Sequence, residues 1–177
     1  GSARYDPVPG WCVACYTGEE AYSRAMAWNE YAQESGTRVP LQIFATDLNG
    51  RGIEKARAGI YPKGITHDVS PVRLQRFFAE VDGNYRICKP VRDMCVFAQQ
   101  NALADPPFSH IDRIACRNML IYLEPVLQQK LLPILHYSLR HDGTLWLGSS
   151  ETIGAYRDLF DVEDAKNKIY SKKPGSV

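Results

Sequence analysis

The chain has 177 residues, with 21 lysines and arginines against 20 aspartates and glutamates and a formal net charge of +1. That length supports one α/β domain with its own core, and the near-neutral balance excludes a global drive toward nucleic acid or an anionic membrane surface. No apolar run reaches the ~18–20 residues of a membrane span, and no secretory signal pattern stands at the start.

Gly1-Ser2 has the character of a cloning remnant and takes no part in the fold reasoning. Residues 3–10 (ARYDPVPG) predict an irregular lead-in, and Trp11–Cys15 a short buried strand. A helix is predicted from Glu19 to about Ser35, with Ala21, Ala25, Met26, Trp28 and Ala32 as its apolar stripe and Gly36 as its stop. Val39–Thr46 predicts a second buried strand ending at Asp47, and a helix then runs to Ala58, with Gly50 and Gly52 near its start. This order implies parallel strands with right-handed crossovers.

A departure follows. Ile60–Ala79 carries turn signals and a short helix, Pro71–Phe78, with Ser70 as its N-cap. Tyr85–Cys88 and Val91–Gln99 alternate as strands around Lys89-Pro90 and predict a small hairpin insertion that returns to the main sheet near Cys95–Ala98. His110–Cys116 predicts the fourth strand. Glu124–Arg140 predicts a helix with Pro125 in its first turn, Leu127, Leu131, Ile134, Leu135 and Leu139 on its apolar face, and a kink at Pro133. Asp142-Gly143 predicts a turn into strand Thr144–Gly148, and Phe160–Val162 with Lys168–Tyr170 an antiparallel pair closing the sheet. The expected division is 3–59 and 95–173 as the two halves of one α/β domain, with 60–94 inserted between them.

The odd set Cys12, Cys15, Cys88, Cys95 and Cys116 argues against a disulfide framework and for a reducing, cytoplasmic setting. Cys12 and Cys15 form a C-x-x-C. On one strand they would point to opposite faces, and no second Cys/His pair follows at metal spacing, so core packing is expected and no metal site. His67, His110, His136 and His141 are scattered and read as structural or solvent-facing.

In an open α/β sheet, ligands sit beyond the carboxyl ends of the strands. Those ends carry Tyr16-Thr17-Gly18-Glu19, Asp47, Gln99-Gln100-Asn101, Arg117-Asn118 and Gly148-Ser149-Ser150-Glu151. An acidic residue after the second strand can accept from both hydroxyls of a ribose. The G-x-G-x-x-G dinucleotide fingerprint is absent, as is a phosphate-binding G-x-x-x-x-G-K-S/T loop. Glu19 and Glu20 would repel a phosphate at the first helix N-terminus. A cationic nucleoside without phosphate fits better, and S-adenosylmethionine (SAM) is one. Capping and dipole roles alone also account for each of these acidic residues taken singly.

The stretches TGEEAYS, IFATDL, EKARAGIY, DVSPVRLQRFF, DPPFSHID, CRNMLIYLEP and LWLGSSETIG occur in order from Trp11 to Tyr170. They resemble the CheR-type chemoreceptor glutamate methyltransferases, in the form fused within large CheB/CheR/PAS signalling proteins. The resemblance implies a class I SAM-dependent methyltransferase fold, a Rossmann-like sheet with a small inserted antiparallel β-subdomain. It implies that Glu19 lies near the methionine portion of the cofactor, Asp47 at the ribose, Asn101 and Ala102 beside the adenine, Arg117 and Asn118 along the pocket, and Tyr122 close to the transferred methyl. It further implies methyl transfer to glutamate carboxylates of a chemoreceptor or other signalling protein, with S-adenosylhomocysteine (SAH) as product. A receptor glutamate is already ionised at pH 7 and needs no general base. Two departures stand out. Ala14 occupies a position where the family prefers glycine, and the family's N-terminal helical domain, with its substrate-orienting arginine, has no counterpart in these residues; Arg4 is too near the first strand to replace it. These departures leave open a second expectation, a degenerate domain that binds SAM or SAH as a sensor or interaction module without turnover.

Overall fold

In the computed structural model, which describes residues 6–174, the first strand begins inside the stretch expected to be irregular. The expectations for Gly1-Ser2 and Arg4 lie outside the described residues. Strand β1 spans Val8–Val13 and pairs in parallel with β2, Leu41–Asp47, from Val8 opposite Leu41 to Val13 opposite Thr46. Pro9 is tolerated because the other neighbour joins only at Gly10, so one ladder alone meets its missing N–H. The strand stops short of Cys15 because Ala14 turns into the left-handed region, φ 57°.

Helix α1, Glu19–Ser35, starts after Gly18 (φ 94°) and ends at Gly36 (φ 74°), whose N–H returns to Ala32 O. Its buried face is Ala21, Tyr22, Ala25 and Met26, while Trp28 and Ala32 are only half-buried. Helix α2, Gly50–Ala58, is capped by Asn49, whose side chain accepts from Arg51 N and Gly52 N.

The main sheet also contains β6 (Cys95–Gln99), β7 (Ile111–Cys116), β8 (Leu139–Leu147), β9 (Phe160–Asp164) and β10 (Ile169–Lys172). Its strand order is β6-β2-β1-β7-β8-β10-β9. The ladders from β6 to β8 are parallel, and β10 pairs antiparallel with both β8 and β9. Chain order reverses direction at β1, so the crevice at its carboxyl end is the topological switch point.

The expected pairing of Tyr85–Cys88 with Val91–Gln99 is overturned. A separate sheet in the order β3-β5-β4 is built from β3 (Ile60–Tyr61), β4 (Phe78–Val81) and β5 (Asn84–Ile87). The hairpin turns at Asp82-Gly83, both at positive φ. Between β5 and β6, Pro90 opens a single helical turn, α4 (Lys89–Arg92), in place of strand. Before β4, Lys63–His67 forms a 3₁₀ turn, and α3 (Pro71–Phe77) starts at Ser70, whose hydroxyl accepts from Arg73 N at 3.2 Å. Arg73 also grips Glu30 on α1 with its guanidinium, at 2.6–3.2 Å.

Helix α5 spans Pro125–Ser138 and passes directly into β8 at Leu139. Leu139 therefore belongs to the strand, and Leu132 and Ser138 join Leu131 and Leu135 as the buried face. Pro133 cannot donate to the Gln129 carbonyl, and the Tyr156 hydroxyl donates there instead at 2.9 Å. Asp142-Gly143 is not a turn before the strand but a register shift within β8.

Apolar clusters cover both faces of the parallel strands, as such sheets require. One gathers Cys12, Tyr22, Ile53, Ile87 and Phe97 beneath α1 and α2; the other gathers Trp11, Leu131, Leu135, Leu145 and Phe160 beneath α5. The expectation that Cys12 and Cys15 point to opposite faces fails, because Cys15 lies past the strand and turns back into the same cluster as Cys12. No helix is long and apolar enough to cross a membrane among the described residues.

Candidate functional site: the carboxyl ends of β1, β2, β6 and β7

The corner after β1 alternates unusual backbone, with Ala14, Tyr16 and Gly18 all at positive φ. Its shape is held by hydrogen bonds from Cys15 N to Thr46 O and from Gly18 N to Cys15 O, both 2.9 Å. The third clamp is Asp47. This carboxylate is 8% exposed. Its Oδ2 accepts from Tyr16 N and its Oδ1 from Asn49 N, each at 2.8 Å. One side chain thus ties the β1 corner to the start of α2.

The same two elements meet at Gly52. A Cβ there would stand 2.8 Å from Tyr16 O, so the glycine allows α2 to close on the corner. Gly18 serves the reverse contact, since its added Cβ would lie 2.7 Å from Ala56 Cβ. The Tyr61 hydroxyl donates to Thr17 O at 2.7 Å, so the small sheet also touches this corner.

Glu19 is exposed and accepts from the Thr17 hydroxyl at 2.6 Å. Gly18 offers no side-chain cap, so the first N–H groups of α1 keep their donor capacity beside the carboxylates of Glu19 and Glu20. Burial, then the Asp47 carboxylate and the Tyr122 hydroxyl, push the Tyr16 phenol upward.

At the end of β6, Gln100 N donates to Asp47 O at 3.0 Å, joining the third strand end to the second. Asn101 forms a local turn: its Oδ1 accepts from Leu103 N at 3.0 Å and its N donates to Asp105 at 2.7 Å. Ala102 is buried against the α5-side cluster. Among the described residues, Gln100 Oε1 is buried with no hydrogen-bond partner, beside this turn.

After β7, Asn118 takes φ 61° and Leu120–Tyr122 forms a 3₁₀ turn. Tyr122 is 76% exposed at the rim. Arg117 diverges from the others: it turns to the α1 side, 3.6 Å from Glu20 and 3.9 Å over the Trp146 ring. There it lines a cavity of about 440 Å³ with Arg24, Trp28, Arg113 and Trp146. The structure therefore gathers Glu19, Asp47, Asn101, Ala102, Asn118 and Tyr122 along the carboxyl rim, and places the Arg117 guanidinium on the adjacent face.

Sequence reasoning placed Tyr16, Thr17 and Glu151 at the strand ends but gave none of them a role in the site. Glu151 is 2% exposed and accepts from Asn118 N and Gly148 N at 2.7 Å and from Ile121 N at 3.2 Å. Its only signal in sequence is its place just past a strand end. Gly52 carried a clearer one, as a glycine in the first turn of a helix.

The fold, a seven-stranded, mostly parallel sheet with a small antiparallel sheet beside it, is that of a class I SAM-dependent methyltransferase domain. More closely, the chain belongs to the family described as CheR methyltransferase, SAM binding domain, whose model matches residues 3–169. It is similar to an uncharacterized 104.1 kDa protein of Rhodobacter capsulatus, 40% identical over 94% of this chain and 18% of that protein. It is also similar to chemotaxis protein methyltransferase 1 of Pseudomonas aeruginosa, 32% identical over 92% of this chain and 62% of the relative. The chemotaxis protein methyltransferase of Escherichia coli is 35% identical over 86% of this chain and 54% of the relative. The chain thus spans less than two thirds of each.

The residues present suit the cofactor. A buried carboxylate with lone pairs to spare stands at the end of β2. The corner offers both N–H donors and carboxylates, which matches a zwitterionic amino-acid tail better than a phosphate.

Proposed function

We propose that this domain catalyses SAM-dependent methyl transfer to glutamate carboxylates of a chemoreceptor-like signalling protein in the cytoplasm. Family membership supports the reaction class. The observation that carries the site is Asp47, which clamps the Tyr16 corner and keeps acceptor capacity for the ribose hydroxyls. Glu19 and the first turn of α1 receive the amino-acid tail, Asn101 and Ala102 flank the adenine, and Asn118 and Tyr122 close the side nearest the acceptor. Arg117 supports the wall through Glu20 and Trp146. Residues 60–94 act as an insertion between the two halves, 3–59 and 95–173, of the α/β domain.

The bound cofactor supplies an activated methyl on a sulfonium. What remains for the protein is alignment of a carboxylate already ionised at pH 7, an orientation effect worth up to ~7–11 kcal/mol at its limit. The rim accordingly needs no histidine base. The test is transfer of labelled methyl from SAM to receptor fragments by the full-length protein. Base-labile label on receptor glutamates is the expected result. Tight SAH binding with no transfer to any receptor fragment would replace this reading with that of a sensor.

A further inference from the structure

Three strand ends have side chains that explain how they are held, and the fourth, after β7, is held from outside by Glu151. This buried carboxylate takes both N–H groups that bracket the β7 loop, Asn118 N and Ile121 N, and fastens them to Gly148 N at the end of β8. An ionised carboxylate is acceptor-only, so it takes all three donors without placing a donor of its own. No lysine or arginine pairs with it among the described residues, which leaves the backbone N–H groups as its partners.

The loop needs that support. Asn118 sits at φ 61°, a conformation that persists when its surroundings hold it. Gly148 shows how close the approach is. A Cβ there would meet Asn118 Oδ1, with Glu151 Oε1 at 2.8 Å and Asn118 N at 3.0 Å. The knot of Asn118, Gly148 and Glu151 therefore sets where the next residues, through Tyr122, emerge at the rim.

We infer that Glu151 is the positioning residue of the β7 loop, presenting Asn118 and Tyr122 to the cofactor pocket by fixing their backbone. This rests on the cofactor placement proposed above. Glu151 touches neither substrate nor cofactor in this scheme; it acts through the loop. Replacing it with glutamine keeps the shape, removes the charge and turns an NH₂ group toward N–H donors.

The experiment uses the full-length protein, with SAH as the probe, and compares wild type, Glu151→Gln and the core truncation Leu135→Ala as a control for lost stability. Amide hydrogen exchange and calorimetry are read together. Exchange at Asn118 and Ile121 is expected to rise about tenfold in Glu151→Gln over both other proteins, with SAH affinity falling about tenfold, as loss of charge-assisted bonds implies. Unchanged exchange at those amides, or an affinity equal to the control, overturns the inference. Absence of SAH binding by wild type overturns the cofactor placement instead, and the exchange result then judges Glu151 as the holder of the loop. If Glu151→Gln does not fold, Gly148→Ala drives the same loop apart with the carboxylate intact; wild-type exchange and affinity in that variant would overturn the inference.

Discussion

Asp47 accepts from two backbone N–H groups, and each of its oxygens retains a further lone pair for a ligand. Removing it therefore acts twice, deleting the proposed ligand contact and leaving Tyr16 N and Asn49 N unmatched. Asp47→Ala is expected to weaken SAM binding about ten- to a hundredfold, the worth of one charge-assisted bond; calorimetry on the full-length protein reads it, and wild-type affinity would remove Asp47 from the site. Ala14 is a different case. At φ 57° it carries a Cβ in the left-handed region that glycine adopts without strain. Ala14→Gly is expected to stabilise the fold by about 0.5–1 kcal/mol, the relief of left-handed strain less the added freedom of the unfolded chain, as measured by urea denaturation.

At the scale of elements, the strand–helix alternation, the Gly36 stop, the Ser70 cap and the closing antiparallel pair were all legible in the sequence, because each rests on local pattern or local turn chemistry. What escaped was non-local. Phe78–Val81 does not announce a strand, since three of its four residues are exposed and its partner is chosen by the Asp82-Gly83 turn. The register shift at Asp142-Gly143 depends on how β8 meets β7. Of the site, the acidic residues at strand ends could be read, while the role of Glu151 could not, because two of its three partners are backbone amides 33 and 30 residues away. The α2 contact has its own test. Gly52→Ala should gain helix propensity of up to ~1 kcal/mol but press a methyl into Tyr16 O, 2.8 Å away. Overpacking of that kind costs ~1–3 kcal/mol, so the expected outcome is a lower melting temperature together with weaker SAM binding.

For the molecule as a whole, Cys12, Cys15, Cys95 and Cys116 are buried, while Cys88 is half-buried. Burial pushes the Cys15 and Cys95 thiols up to about 12, from 9.0, and raises Cys12 and Cys116 as well. A thiol whose pKa is raised by folding contributes stability that is intact below its unfolded value. That contribution is lost as pH climbs through the folded value. Stability should therefore fall from about pH 9 upward, each raised thiol contributing to the slope, and denaturant midpoints at pH 8, 9 and 10 would record it. A thiol reagent at pH 8 should label Cys88 first in the native protein and reach the other four only on unfolding.

The bond between Tyr16 N and Asp47 joins residues 31 positions apart, and the contact of Gly52 with Tyr16 O spans a similar stretch of chain. Neither can form from local sequence, because closing that loop costs entropy that only the paired strands repay. The proposed cofactor corner is consequently a product of tertiary assembly and has no stable existence in an isolated strand–turn–helix fragment. Its order rises and falls with the sheet as one cooperative unit, so a reporter at Tyr16 and the far-ultraviolet signal of the helices should trace a single unfolding transition.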